Sequence, residues 1–164
     1  MLDTATETRS IIPGMGKIYA KLAPYSYAFM RFCTGAILAP HGIQKLFFGG
    51  VTGNAVAVAK IGMYPPEFWS YLVGFTECFC AIAMALGLFT RVAALFIIGE
   101  MAVIAFVVQI KFGYFWTAKG NEFPLLLFLL AVGIFFRGGG RYSLDHMIGR
   151  KYSRTPPRPA VVRA

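Results

Sequence analysis

Charge is what this chain has least of. Only 14% of its 164 residues are Asp, Glu, Lys or Arg, against about a quarter in soluble domains. That leaves too little polar sequence to coat a separate soluble unit, which points to a single domain. Acids are the scarcer sign, seven against sixteen Lys and Arg, for a net charge of +9. The excess does not indicate nucleic acid, because the basic residues gather on no one polar segment. They flank apolar runs instead, which is the positive-inside pattern. Cysteine is sparse as well. Cys33, Cys78 and Cys80 all lie within apolar segments, and the last two, two apart on a helix, point about 200° from each other. They suit neither a disulfide nor a chelate and read as small packing residues. His41 and His146 are the only histidines, and no Cys/His pair has ligand spacing, so no metal or haem site is indicated. A nucleophile–base pair, a phosphate loop and a dinucleotide fingerprint are missing too. So is a short apolar core followed by a small-residue cleavage site.

Apolar surface is abundant. Hydrophobic residues make up 57% of the chain and aromatics 16%, and the mean hydropathy is +0.63. Several runs approach the twenty or so residues a helix needs to cross a bilayer. The pattern predicts an all-α, polytopic four-helix membrane bundle with spans at 25–47, 67–89, 92–111 and 123–136. Residues 1–24 form a lead segment, with Ile18, Tyr19 and Leu22 beside Lys17 and Lys21 suited to the membrane surface. Residues 138–164 form a basic tail. In the first connection, Asn54 is expected to cap a short helix over 55–61. Pro65-Pro66-Glu67 opens the second span, since Pro suits a first helical turn and an acid suits its positive end. Gly138-Gly139-Gly140 ends the fourth.

Orientation follows from counting cations. With both termini cytoplasmic, Arg9, Lys17, Lys21, Arg91, Arg137, Arg141, Arg150, Lys151, Arg154, Arg158 and Arg163 lie inside, and only Lys45, Lys60, Lys111 and Lys119 lie outside. The excess predicts N-in, C-in topology. Arg31 is left within the first span.

That span is where function is expected. Arg31, Thr34, Leu38, His41 and Lys45 recur at helical spacing, with Gln44 beside them. Lipid satisfies none of the polar members, so they should face other helices or a cavity. Counting 1.5 Å per residue from each cytoplasmic end places Arg31 roughly 9 Å up, Glu100 about 13 Å, Glu77 about 18 Å, Glu122 about 22 Å, His41 about 24 Å and Lys45 about 30 Å. Two tiers result. The upper one, His41, Gln44, Lys45 and Glu122 with Glu77 within reach, is the candidate ligand site. The lower one is an intramembrane ion pair of Arg31 with Glu100 or Glu77, one of the two carboxyls carrying a proton.

Five short segments at these positions resemble the DoxX family of small bacterial membrane proteins. They are His41-Gly42-x-Gln44-Lys45-Leu46-Phe47, Glu77, Gly87-Leu88-Phe89-Thr90-Arg91, Glu122-Phe123-Pro124-Leu125-Leu126-Leu127 and Gly140-Arg141-Tyr142-Ser143-Leu144-Asp145. The resemblance spans about 29–145. It implies a multi-pass protein of the bacterial inner membrane that binds a quinone-like or other small apolar molecule, as a subunit or accessory of a membrane redox system. The chain itself would then be at most a membrane subunit of an oxidoreductase, its electrons supplied by a partner. The alternative is a non-enzymatic subunit that positions a larger membrane complex, with Gly35 and Gly42, seven apart, serving close helix packing.

Overall fold

A computed structural model describes residues 15–152, and among these every regular element is helical. Helix α1 runs Met15–Phe47. A short α2, Gly50–Ala59, follows. Next come α3, Pro66–Leu86, and α4, Thr90–Val108, the two helices both long and apolar enough to cross a membrane. Then α5, Glu122–Arg137, and α6, Leu144–Tyr152, complete the order.

Local chemistry sets the helix ends. Pro65 is extended and Pro66 occupies the first turn of α3 with Glu67 beside it, as the sequence led us to expect. Its far end closes on Gly87 in the left-handed region (φ 73°), where the Gly87 N–H donates to Met84 and the Leu88 N–H to Ala83. This is the paired carbonyl closure that a glycine at such a position permits. Three corrections concern boundaries. Helix α1 begins ten residues before the expected span, Asn54 lies inside α2 rather than capping it, and the tail contains α6, which hydropathy did not reveal. Asn54 instead donates to Ser70 Oγ at 3.0 Å, and Ser70 donates to the Val51 carbonyl at 2.7 Å, fastening α2 across α3.

Helices α1, α3, α4 and α5 pack in a bundle, α1 most extensively against α3, α3 against α4, and α4 against α5. The core at their centre holds Leu38, Met84, Ile97, Leu127 and Ile134 among Ala81, Ala94 and Ala131. Small residues bring α1 and α3 into backbone contact. A Cβ on Gly35 would overlap the Ala81 carbonyl, and one on Gly42 would overlap the Cys78 backbone nitrogen. The outer surface is apolar as well: Phe29, Phe32, Phe79, Leu95, Leu126 and Leu129 are each at least half exposed. Apolar surface of that extent on a helical bundle is what a lipid environment covers. Cys78 and Cys80 are buried and Cys33 partly so, all as free thiols.

Candidate functional site

The inward stripe of α1 passes through Arg31, Thr34, Gly35, Leu38, Ala39 and Gly42 to half-buried Lys45. One helical turn beyond Leu38 falls between positions 41 and 42. The packing resolves that in favour of Gly42, because only a residue without a side chain fits against the α3 backbone. His41 and Gln44 are consequently exposed.

Opposite Gly42, α3 loosens into a π-turn over Thr76–Cys80. Such turns insert one residue into a helix and re-aim its side chains. Glu77 lies on this turn, nearly fully buried, and its Oε2 pairs with Lys45 Nζ. From α4, Glu100 comes within range of the charges on both Glu77 and Lys45. Both Glu100 carboxyl oxygens are buried, with no hydrogen-bond partner among the described residues. One ammonium and two carboxyls thus converge from three helices.

This cluster ends a cavity of about 600 Å³, within the usual range for small-molecule sites. The walls are almost wholly apolar: Leu72 and Val73 from α3, Leu95, Phe96 and Val103 from α4, Val58 from α2, and Met63 and Trp69 near the far end. Lys45 and Glu100 supply the charge. Thr76 also lines it, but its hydroxyl already donates to the Leu72 carbonyl at 2.9 Å. Leu95 and Phe96 are 57% and 40% exposed, so the cavity opens sideways through the bundle wall. Helix α2, too short to cross a membrane, serves as one of its walls.

The two tiers read from the sequence are redrawn. Arg31 pairs with neither Glu100 nor Glu77. It is buried at the other end of the bundle, where Nη1 donates to the Met84 carbonyl at 3.1 Å and Nη2 to the Tyr142 carbonyl at 2.9 Å. Arg31 is therefore level with the end of α3, not 9 Å above it. Recounted from that level, Glu77 lies about 14 Å and Glu100 about 15 Å up their helices, and Lys45 about 21 Å, a gap its long side chain closes. Glu122 is not brought to His41 or Lys45. Its Oε1 accepts the Trp116 N–H at 3.0 Å, and its own N–H bonds to the Tyr114 carbonyl, closing the loop before α5. Of the expected ligand set, Lys45 lines the cavity and Glu77 pairs with it, whereas His41, Gln44 and Glu122 are not among its lining residues.

Sequence reasoning gave Asp145 no role. It reaches from the start of α6 to the N-terminus of α4, accepting the Phe89 N–H at 2.7 Å, the Thr90 N–H at 2.9 Å and the Thr90 hydroxyl at 2.7 Å. Burial works against its ionisation, but the bonds from Thr90 and Phe89 and the charge of Arg31 outweigh that and hold the carboxyl below its ordinary value of 3.8. The Tyr27 hydroxyl donates to the Gly138 carbonyl, and Arg137 stacks 4.3 Å over the Tyr27 ring. This end of the molecule is a latch joining α1, α4, α5 and α6.

An all-helical bundle with an apolar exterior, a polar cluster buried between helices and a side-opening apolar cavity defines a small integral membrane protein. The sequence pattern of the DoxX family matches residues 26–110, and the chain belongs to that family. It is 25% identical over 154 residues to an uncharacterized membrane protein of Mycobacterium tuberculosis, covering 88% of this chain and 94% of that one. With an uncharacterized protein of Haemophilus influenzae it shares 32% identity over 136 residues, 80% of this chain and 96% of the other. No solved structure matches it.

Proposed function

We propose that this chain binds a quinone-like small apolar molecule within the membrane, as a subunit or accessory of a redox system. In this reading α1, α3, α4 and α5 cross a bacterial cytoplasmic membrane as a domain over 25–137, with segments 1–24 and 138–164 inside. The cation count supports that orientation, since the α3–α4 turn and the basic tail then share the inner side. The observation that carries the functional reading is the cavity, with Lys45 and the unpartnered Glu100 at its polar end. An apolar ring system fits the walls, and carbonyl or hydroxyl oxygens at its edge meet a donor in Lys45 and an acceptor in Glu100. Two carboxylates against one ammonium leave one negative charge over, and a proton carried by one of the two carboxyls neutralises it. That proton is one of the two that a bound quinone takes up, with two electrons, on becoming a quinol, and the other comes from water. Electrons come from a partner protein.

Trp69 lines the cavity and is one of two tryptophans in the chain, which provides the assay. Titrating a soluble ubiquinone or menaquinone analogue into the Trp116→Phe protein should quench Trp69 fluorescence saturably. Glu100→Gln and Lys45→Met should each weaken binding by about tenfold or more, the worth of one good polar contact. Affinities unchanged by both substitutions would remove the site.

A further inference from the structure

The latch end carries a second concavity, of about 650 Å³, that the cavity between the helices does not use. It lies where α6 crosses the end of α3. Its polar rim is Arg141, Arg150 and His146, and its floor is Leu86, Leu144 and Met147. Both arginines are exposed, and neither makes a salt bridge or side-chain hydrogen bond among the described residues. The one acid in α6, Asp145, is turned away and committed to Phe89 and Thr90. The groove therefore presents positive charge with no internal counterion.

The apolar half is equally unpartnered. Met147 is 66% exposed and Leu86 51%. Tyr25 stacks on Tyr142 beside them, ring centroids 4.7 Å apart. Because Asp145 holds α6 against the turn between two spanning helices, the groove sits at the level where hydrocarbon gives way to water. A ligand suited to it has a negative head for the arginines and an apolar body for Leu86, Leu144 and Met147.

We infer that this groove is a binding site for an anionic phospholipid, its phosphate between Arg141 and Arg150 and its acyl chains descending past Leu86 along α3. Charge complementarity decides for lipid over a protein helix: the rim asks for an anion, the floor for hydrocarbon, at interfacial depth. Each basic side chain near an anionic leaflet strengthens binding about fivefold, so the two arginines together contribute roughly thirtyfold.

Native mass spectrometry of the full chain, in detergent doped with equal amounts of dioleoyl phosphatidylglycerol and dioleoyl phosphatidylcholine, tests this directly. The protein should retain phosphatidylglycerol preferentially, and Arg141→Gln/Arg150→Gln should bring the ratio towards one. Met147→Gln should weaken retention of phosphatidylglycerol while leaving any binding of inorganic phosphate unchanged. Equal retention of the two lipids by the unaltered protein, or an undiminished preference in the double variant, would overturn the site. So would displacement of phosphatidylglycerol by inorganic phosphate at comparable concentration, which would mark an anion site indifferent to acyl chains.

Discussion

The Lys45–Glu77 pair yields a double-substitution cycle whose outcome separates a ligand site from a structural rivet. Both groups sit where water has little access, with side chains 18% and 6% exposed. Removing one partner of such a pair typically costs about 3–5 kcal/mol, because the other is left charged and alone. Glu100 makes the two halves unequal. In Glu77→Leu, Lys45 still has a carboxyl within range, so the cost should fall to roughly 1–2 kcal/mol, below the range for an isolated buried pair. In Lys45→Met two carboxyls face each other without a cation, and the full 3–5 kcal/mol is expected. Replacing both by apolar residues should be about neutral or stabilising, as buried pairs usually are when exchanged whole. Equilibrium unfolding in mixed micelles measures all three. If the single costs add to the double cost within about 0.5 kcal/mol, the two side chains are uncoupled and the argument for the cluster fails. The Lys45→Met/Glu77→Leu protein should be as stable as the parent yet fail to quench Trp69 with quinone. Stability and binding retained together would leave the pair without a function.

Other consequences are as direct. Glu100→Leu should gain about 1–3 kcal/mol, by relieving a buried carboxyl of unmet hydrogen bonds, while losing the quinone response; a loss of stability would refute the open-ended reading of Glu100. Gly42→Ala drives a Cβ into the Cys78 backbone and should cost about 1–3 kcal/mol, with binding lost as α1 is pushed off α3; unaltered unfolding would contradict that contact. Asp145→Asn keeps one acceptor but loses the charge-assisted cap of α4, at about 1–2 kcal/mol near neutral pH. Because the folded Asp145 carboxyl titrates below its ordinary value, its contribution is present above about pH 4 and lost as pH falls through the folded value. The gap between parent and variant should therefore close in acid, and a constant gap would exclude the assigned bonds. Glu122→Ala should cost about 1 kcal/mol through the loop before α5 and leave Trp69 quenching intact, since Glu122 serves Trp116.

Composition sufficed for the long apolar helices α3 and α4 because lipid imposes a simple rule on sequence: apolar outside, polar only where another helix meets it. The proline that opens α3, the glycines that close α5 and the family membership were legible for the same reason. The side-chain meetings were harder, and Arg31 shows why. Depth counting needs an origin, and α1 runs on below the membrane-length stretch, so the choice of Tyr25 raised every residue of α1 against α3 and α4. The π-turn at Glu77 has no signature in composition, yet it aims that carboxyl at Lys45. His41 and Gly42 straddle the same turn, and only the proximity of the α3 backbone selects the glycine. Asp145 lay in a segment that hydropathy marks as tail; its place in a Gly-Arg-Tyr-Ser-Leu-Asp run beside three glycines was the available hint, with no means in sequence to say which helix it caps.

The cap on α4 has a consequence for the order in which the molecule is made. The amides of Phe89 and Thr90 wait for a carboxylate 55 to 56 positions downstream. While the ribosome is still building α5, the first turn of α4 has only water or lipid headgroups to satisfy it. Closure of the bundle thus falls to residues made only after α5, and a nascent chain halted before Asp145 holds its helices with one end unsealed.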